Sequence, residues 1–316
     1  MLPARFAAVR ENDGFDPYCT PPWLMVPVLG VKRIRLLNAP DAVVTSTTPG
    51  IATVEEVSPL LARTLGGKMA PTKAGDGTSR QVEERFRIAR GKGRCTVSAI
   101  DGTSIREFVV KGYMAGRTFL EARFNHGLLA RVEAGVKRVK TVRIAFNFVQ
   151  DSAGHKTSRN PGQVDQWLHQ MNEIYTPQAN IVCRKNNARW VNVGRNLGNV
   201  VRYSAHLSGV AASEHEWDAV AGQRDGTADF NYFFVWEYEQ DATPGTDNTD
   251  AGALSGNCIF EDDAGAEVAE TLAHELGHFL GVRDFYENNR VGWLMYGITD
   301  DRGRMLPRDH ATRMNP

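Results

Sequence analysis

The segment His274-Glu275-Leu276-Gly277-His278 sets two imidazoles four residues apart, with a carboxylate beside the first. Four residues are a little over one helical turn, so on a helix His274 and His278 project from one face. That spacing lets both rings meet one zinc ion at roughly 2.0–2.1 Å. Glu275 can then reach a water on the metal without binding the metal itself. Gly281 follows three residues after His278 and can end the helix in a left-handed conformation. Asp284 follows three residues after Gly281, where a third ligand is expected. Zinc held by three protein ligands keeps a fourth position for water and lowers that water's pKa to about 7. In this reading Glu275 accepts the water proton during attack on a peptide carbonyl and passes it to the leaving amine, while zinc stabilises the oxyanion. One catalytic zinc ion is the expected cofactor.

The elements that must position these groups follow from hydrophobic periodicity. A helix from about residue 264 to Leu280, capped by Asp262 or Asp263, carries the motif. Leu272, Leu276, Phe279 and Leu280 cover its other surfaces. Upstream, Thr141–Val149 alternates Val142, Ile144, Phe146 and Phe148 on one face of a half-buried strand. A helix follows, with Asn160 as N-cap, Pro161 at its first position and Gln163 closing a capping box. Its apolar stripe is Val164, Trp167, Leu168, Met171, Ile174 and Tyr175, and Thr176-Pro177 ends it. Ala179–Arg184, Trp190–Val193 and Tyr232–Tyr238 read as strands, and Ala251–Phe260 as one or two edge strands. This order indicates an α+β catalytic-type domain with a mixed sheet.

The run from His274 to Asp284 has the form HExxHxxGxxD, and Trp293-Leu294-Met295-Tyr296-Gly297 follows it. Together they resemble the metzincin clan of zinc endopeptidases, in the version with Asp as third ligand found in the snapalysin-like branch. The resemblance covers roughly residues 140–316. It implies His274, His278 and Asp284 on the metal, Glu275 as general base, and a Met-turn at Met295 beneath the zinc. It also implies a short last helix after Leu306-Pro307 that includes His310 to Met314. Tyr296 departs from the branch in which a zinc-binding Tyr lies two residues after the Met, so its expected place is the wall of the site. Tyr286 is a further candidate hydrogen-bond donor. Alternative third ligands are Asp300 or Asp301, in an aspzincin-like arrangement, and His310. The gluzincin arrangement needs a distant downstream Glu, and no Glu follows Glu287.

Residues 23–138 read as an all-β unit. Candidate strands are Val31–Leu37, Ile51–Val57, Arg85–Ala89, Arg94–Ile100, Arg106–Lys111, Thr118–Phe124 and Leu128–Val136. Asp101-Gly102 and Asn125-His126-Gly127 supply turns. The stretch Phe108 to Val136 resembles the closing hairpin of bacterial immunoglobulin-like domains, which implies a sandwich used for binding, delivery or positioning. The expected organisation is therefore multidomain: an N-terminal extension over 1–22, an immunoglobulin-like β-sandwich over 23–138, and an α+β metzincin-like peptidase domain over 139–316. Asp13, Asp16 and Cys19 are available to block the cleft if the extension is inhibitory.

The chain has 316 residues, 42% hydrophobic and 23% charged, ordinary values for a globular protein. Its 37 basic and 37 acidic residues cancel, which disfavours a generally basic nucleic-acid binder. Residues 1–140 nevertheless hold 22 basic and 13 acidic side chains, and residues 141–316 hold 15 and 24. Two electrostatically distinct units are expected. No apolar run reaches the ~18 residues of a membrane span. Phe6 to Val9 is too short for a secretory h-region. Secretion, or delivery to a target cell by dedicated export machinery, is the expected localisation, with a protein or peptide as substrate.

Cys19, Cys95, Cys183 and Cys258 are widely spaced and read as buried thiols, with one or two disulfides as the alternative. Thirteen acidic residues and no Lys or Arg lie between Asp225 and Val282. They suggest a solvated surface, calcium binding at 241–250, or a cleft for basic substrates. His206 and His215 are candidates for a second zinc. Two other functions compete with the peptidase. One is an adhesion or interaction protein with a structural zinc; the other is a zinc amidase acting on non-protein amides.

Overall fold

The structure is a computed structural model that describes residues 3–57, 87–91, 94–98, 104–202, 216–239, 251–254, 256–262, 268–298 and 301–316. Asp101-Gly102, His206, His215, the loop 241–250, Asp263, Asp300 and the side chain of Cys95 lie outside the described residues, so the expectations resting on them are left there. Two compact units form, Met1–Arg138 and Val139–Pro316.

The first unit has two sheets. One runs β1 (Arg5–Ala8), β4 (Val31–Leu37), β9 (Ser104–Gly112), β8 (Arg94–Ser98) and β7 (Arg87–Gly91), with β6 (Ala52–Glu56) also paired to β9. The other runs β2 (Phe15–Asp16), β3 (Trp23–Pro27), β11 (Gly127–Lys137), β10 (Gly116–Phe124) and β5 (Val43–Ser46). Leu24, Val26, Ile34, Leu36, Phe108, Val110, Leu120 and Val132 form one core between them. All pairings are antiparallel except β3 with β11, which is parallel.

The expected extension over 1–22 is corrected here. Arg5–Ala8 pairs with Ile34–Leu37, and Phe6 is buried in the common core. Phe15 and Asp16 pair with Leu24 and Trp23. Asp13 accepts the Lys32 ammonium at 2.7 Å, and Asp16 accepts the Tyr18 N–H at 2.8 Å. The segment is short in sequence terms, but alternation of one large apolar group with small residues is enough to add an edge strand. Its candidate blocking groups serve the first unit.

The second unit is built on the sheet β13 (Ile181–Val193), β12 (Lys140–Asp151), β15 (Phe230–Phe234), β18 (Asn257–Phe260) and β17 (Ala251–Leu254). The first four strands are parallel, and edge strand β17 runs antiparallel to β18. A small pair joins β14 (Val201–Arg202) to β16 (Tyr238–Glu239). One face of the main sheet is aromatic. Phe146 and Phe148 stack on Phe234, and Trp167 of helix α1 (Val164–Ala179) packs on Phe148 and Phe234. The other face carries Val149, Phe233 and Ile259 against Trp217 and Val220 of α2 (Glu216–Ala221). Helix α3 (Val268–Phe279) and helix α4 (Arg308–Met314) complete the unit. No helix among the described residues is long and apolar enough to cross a membrane.

Local chemistry explains the boundaries of α1. Asn160 Oδ1 accepts the Gly162 N–H at 3.0 Å, and Gln163 Oε1 accepts the Asn160 N–H at 2.9 Å. This capping box opens the chain through a 3-10 turn at Pro161–Gln163. The helix runs past Pro177 to Ala179 and ends where Asn180 turns left-handed at φ 53°. The expected strands 179–184 and 190–193 are one strand. The ladder to β12 continues through polar Lys185-Asn186-Asn187, with an irregularity between Ile144 and Ala145.

Phe234 joins the sheet to α1, touching Phe146, Phe148, Trp167 and Phe260. Phe234→Ala is expected to destabilise the second unit by about 3–5 kcal/mol. Urea unfolding followed by tryptophan fluorescence measures this, with little change expected in a transition belonging to the first unit.

Candidate metal centre

Helix α3 is hydrophobic on most of its surface, so it sits in the core and not across it. Ala269, Leu272, Ala273 and Leu276 are buried, and so are His274 and Glu275. Two tyrosines hold its position. The Tyr175 hydroxyl of α1 donates to the Ala273 carbonyl, and the Tyr232 hydroxyl of β15 donates to the Leu272 carbonyl. Both bonds fall on the turn that presents His274.

The end of α3 is a Schellman turn. Gly281 has φ 93°, its N–H donates to His278 O at 2.9 Å, and the Val282 N–H donates to Gly277 O at 3.1 Å. A side chain at that φ would be strained, which is why Gly occupies the position. The turn points the Val282 carbonyl back, and it accepts His278 Nδ1 at 2.9 Å. His274 Nδ1 donates in the same way to the Leu294 carbonyl at 2.8 Å. A carbonyl oxygen only accepts, so both Nδ1 atoms carry hydrogen, and each neutral ring has its lone pair on Nε2.

These lone pairs converge. His274 Nε2 and His278 Nε2 are 3.1 Å apart. Asp284 Oδ1 lies 3.0 Å from the first and 3.4 Å from the second. Oδ1 is buried and no N–H is aligned to donate to it. Three electron-rich atoms at this spacing repel one another unless positive charge lies among them. A proton could relieve one contact at a time, whereas one cation relieves all three. Ligands of a tetrahedral ion with 2.0–2.1 Å bonds stand roughly 3.3 Å apart, so the observed spacing fits a first-row divalent metal. Glu275 stands further off. Its Oε1 is 3.9 Å from His274 Nε2.

Electrostatics separates the two carboxylates. Burial raises the Glu275 carboxyl above its ordinary range, against a smaller opposing pull from His274, His278 and Arg302. Burial would also raise Asp284, but in the metal-free protein a ring protonated at Nε2 outweighs this by hydrogen bonding and charge and holds the carboxyl well below the carboxylate range. Burial lowers His278, and the nearby Asp284 and Glu275 charges more than restore it, so it is raised.

Met295 is fully buried. A Cβ built on Gly277 would stand 2.3 Å from the Met295 sulfur. The segment around Met295 is fixed by the Phe285 N–H bonding Met295 O at 3.0 Å and the Gly297 N–H bonding Phe285 O at 3.0 Å. Tyr296 is buried, and its backbone completes this turn: its N–H donates to Trp293 O at 3.1 Å and its carbonyl accepts Arg302 Nε at 3.2 Å. His310 is packed between the Phe285 and Trp293 rings, with centroids at 4.7 and 5.6 Å. Asp301 is exposed, and its carbonyl accepts the Gly292 N–H. Of the candidate third ligands among the described residues, Asp284 is the one brought to the imidazoles.

Several contributors escaped sequence reading. The carbonyls of Val282 and Leu294 belong to residues with no functional chemistry of their own. Tyr175 and Tyr232 looked like core aromatics. Gly277 did carry a signal, since glycine inside a helix costs about 1 kcal/mol and marks a close approach. The acidic run between 225 and 282 is largely structural where it is described: Asp229 pairs with Arg143, Glu270 with Arg304, and Asp262 accepts the Thr157 hydroxyl and the Ser158 N–H. Arg143 and Arg304 offset the charges of Asp229 and Glu270.

Gly277→Val is expected to push Met295 from under the helix. Overpacking of this kind costs about 1–3 kcal/mol. Thermal unfolding should show the loss, and Met295→Ala in the same chain should recover part of it by making room.

No protein-family model matches the chain, and no curated protein matches it significantly, so the case for a function rests on this geometry.

Proposed function

We propose that the protein is a zinc endopeptidase of metzincin type, with His274, His278 and Asp284 holding one zinc ion and Glu275 as general base. The observation that carries this reading is the mutual approach of His274 Nε2, His278 Nε2 and Asp284 Oδ1 within 3.0–3.4 Å. Two imidazoles and one carboxylate suit zinc, and a three-ligand site is the catalytic pattern. A structural site closes with a fourth protein ligand, and the wider stand-off of Glu275 argues against that role for it. When bound, zinc supplies a Lewis acid and makes a water acidic near pH 7.

The chain's own groups supply the rest. The two backbone carbonyls keep both rings in the tautomer that offers Nε2. Glu275, raised by burial, is suited to take a proton from water near neutral pH and return it to a leaving amine. Tyr286 lies two residues after Asp284. Its ring rests on Gly297, where an added Cβ would come within 2.4 Å of it, and its exposed hydroxyl is placed to hydrogen-bond a substrate carbonyl. Strand β17 ends the sheet and packs against α3. The proposed substrate is a peptide, added as a further strand along that edge. Residues 1–138 would act as an immunoglobulin-like binding or positioning module, on a protein secreted or delivered to its target.

Two measurements test the reading. Asp284→Ala should weaken zinc binding by a factor of order 10² or more in chelator competition, since even outer-shell changes cost 10–100-fold. Asp301→Ala should leave the affinity unchanged. Glu275→Gln should keep fold and zinc content while peptide turnover falls by about 10²–10⁴. His274→Ala should lose zinc and activity together. A Glu275→Gln protein that cleaves as fast as the parent would remove the proposed base.

A further inference from the structure

A second feature stands apart from the metal centre, at the hairpin between β10 and β11. Asn125 and His126 both have left-handed φ, 46° and 67°, the two-residue turn whose twist suits a hairpin. Every residue from Arg123 to Leu129 is exposed. Three of them are large and apolar: Phe124 at 46%, Leu128 at 48% and Leu129 at 43% exposure. Val43 adds to them, because Arg123 pairs with Leu128 on one side and with Val43 on the other, and Val43 is exposed too. Single exposed apolar side chains are ordinary, but a group of four at one strand end marks a contact surface.

The chemistry behind the tip narrows the partner. Arg123 donates to Glu121 Oε2 at 3.0 and 2.8 Å, and Arg131 lies 3.4 Å from Glu121 Oε1. Two cations therefore share one carboxylate, and that carboxylate lies beneath them, 11% exposed. Arg131 is also held flat over the Phe119 ring at 3.5 Å. Arg131 is three residues beyond Leu128, roughly 10 Å along the strand, comparable with the depth at which surface-bound apolar groups enter a bilayer. The ladder between β10 and β11 runs to the last pair, Phe124 opposite Gly127, so the two strands of the tip satisfy each other's inward-facing backbone groups. Residues 1–140 carry a net positive charge, with 22 Lys and Arg against 13 Asp and Glu. The tip lies at the end of β11 opposite Lys137, where the chain continues into the second unit.

We propose that the β10–β11 hairpin docks on an anionic lipid surface, with Phe124, Leu128 and Leu129 entering the headgroup layer and Arg123 and Arg131 meeting lipid phosphates. Neither the metal nor the proposed peptidase activity enters this argument.

Sedimentation of the full chain with vesicles tests it. The parent chain should pellet with phosphatidylcholine vesicles containing phosphatidylglycerol, should bind pure phosphatidylcholine weakly, and should be released as salt is raised. Phe124→Ser combined with Leu128→Ser should weaken binding about 10-fold or more with an unchanged unfolding midpoint, because both side chains are exposed. Failure of the parent chain to pellet with the anionic vesicles would overturn the proposal. So would equal binding by the double variant, equal binding to neutral vesicles, or binding insensitive to salt. Pelleting without vesicles that the double variant abolishes would assign the tip to a second copy of the chain and equally overturn it.

Discussion

The second unit is organised around an unfavourable arrangement of charge. Three lone-pair-bearing atoms on His274, His278 and Asp284 approach to between 3.0 and 3.4 Å of one another. Nothing in their covalent chemistry draws them together. They are held there by neighbours: two backbone carbonyls that each take an Nδ1–H, a left-handed glycine that turns the chain after α3, and two tyrosine hydroxyls that fix the helix from behind. Each neighbour satisfies a polar group that burial would otherwise leave unpaired. These neighbours hold the lone pairs in a cluster that a cation would complete, and the proposed zinc site rests on that arrangement.

The support is continuous with the core. Tyr232 and Phe234 stand on the same face of β15 and reach α3 and α1 respectively. Met295 lies under Gly277, and the turn that carries it also carries the Leu294 carbonyl. A disturbance of packing at Gly277 or Phe234 therefore reaches the ligands through rigid elements. Glu275 gains its raised proton affinity from the same burial. Core packing and the acid–base chemistry proposed for this residue have one cause.

The candidate metal ligands were the most legible part of the sequence, because their geometry is local. Histidines four residues apart share a helical face wherever the helix lies, and Gly281 and Asp284 follow within two turns of chain. The capping box at Asn160 and Gln163 was legible for the same reason. Features that depend on distant partners were not. Arg5–Ala8 has no strong strand pattern until Ile34–Leu37 lies beside it. The polar middle of β13 becomes strand because β12 offers a ladder across it. Pro177 reads as a stop, yet α1 continues to Ala179 before Asn180 turns the chain. The two carbonyls that set the imidazole tautomers leave no trace in residue type, since any residue could provide them.

The central claim is that His274, His278 and Asp284 share one metal ion. Diffraction from crystals grown with zinc, recorded at the zinc absorption edge, tests it most directly. The account predicts a single strong anomalous peak in the second unit, about 2.0–2.1 Å from both Nε2 atoms and from an Asp284 carboxylate oxygen, with Glu275 unbound. A map without a peak at these residues, or a zinc bound there with Asp284 turned away and another side chain in its place, would contradict it.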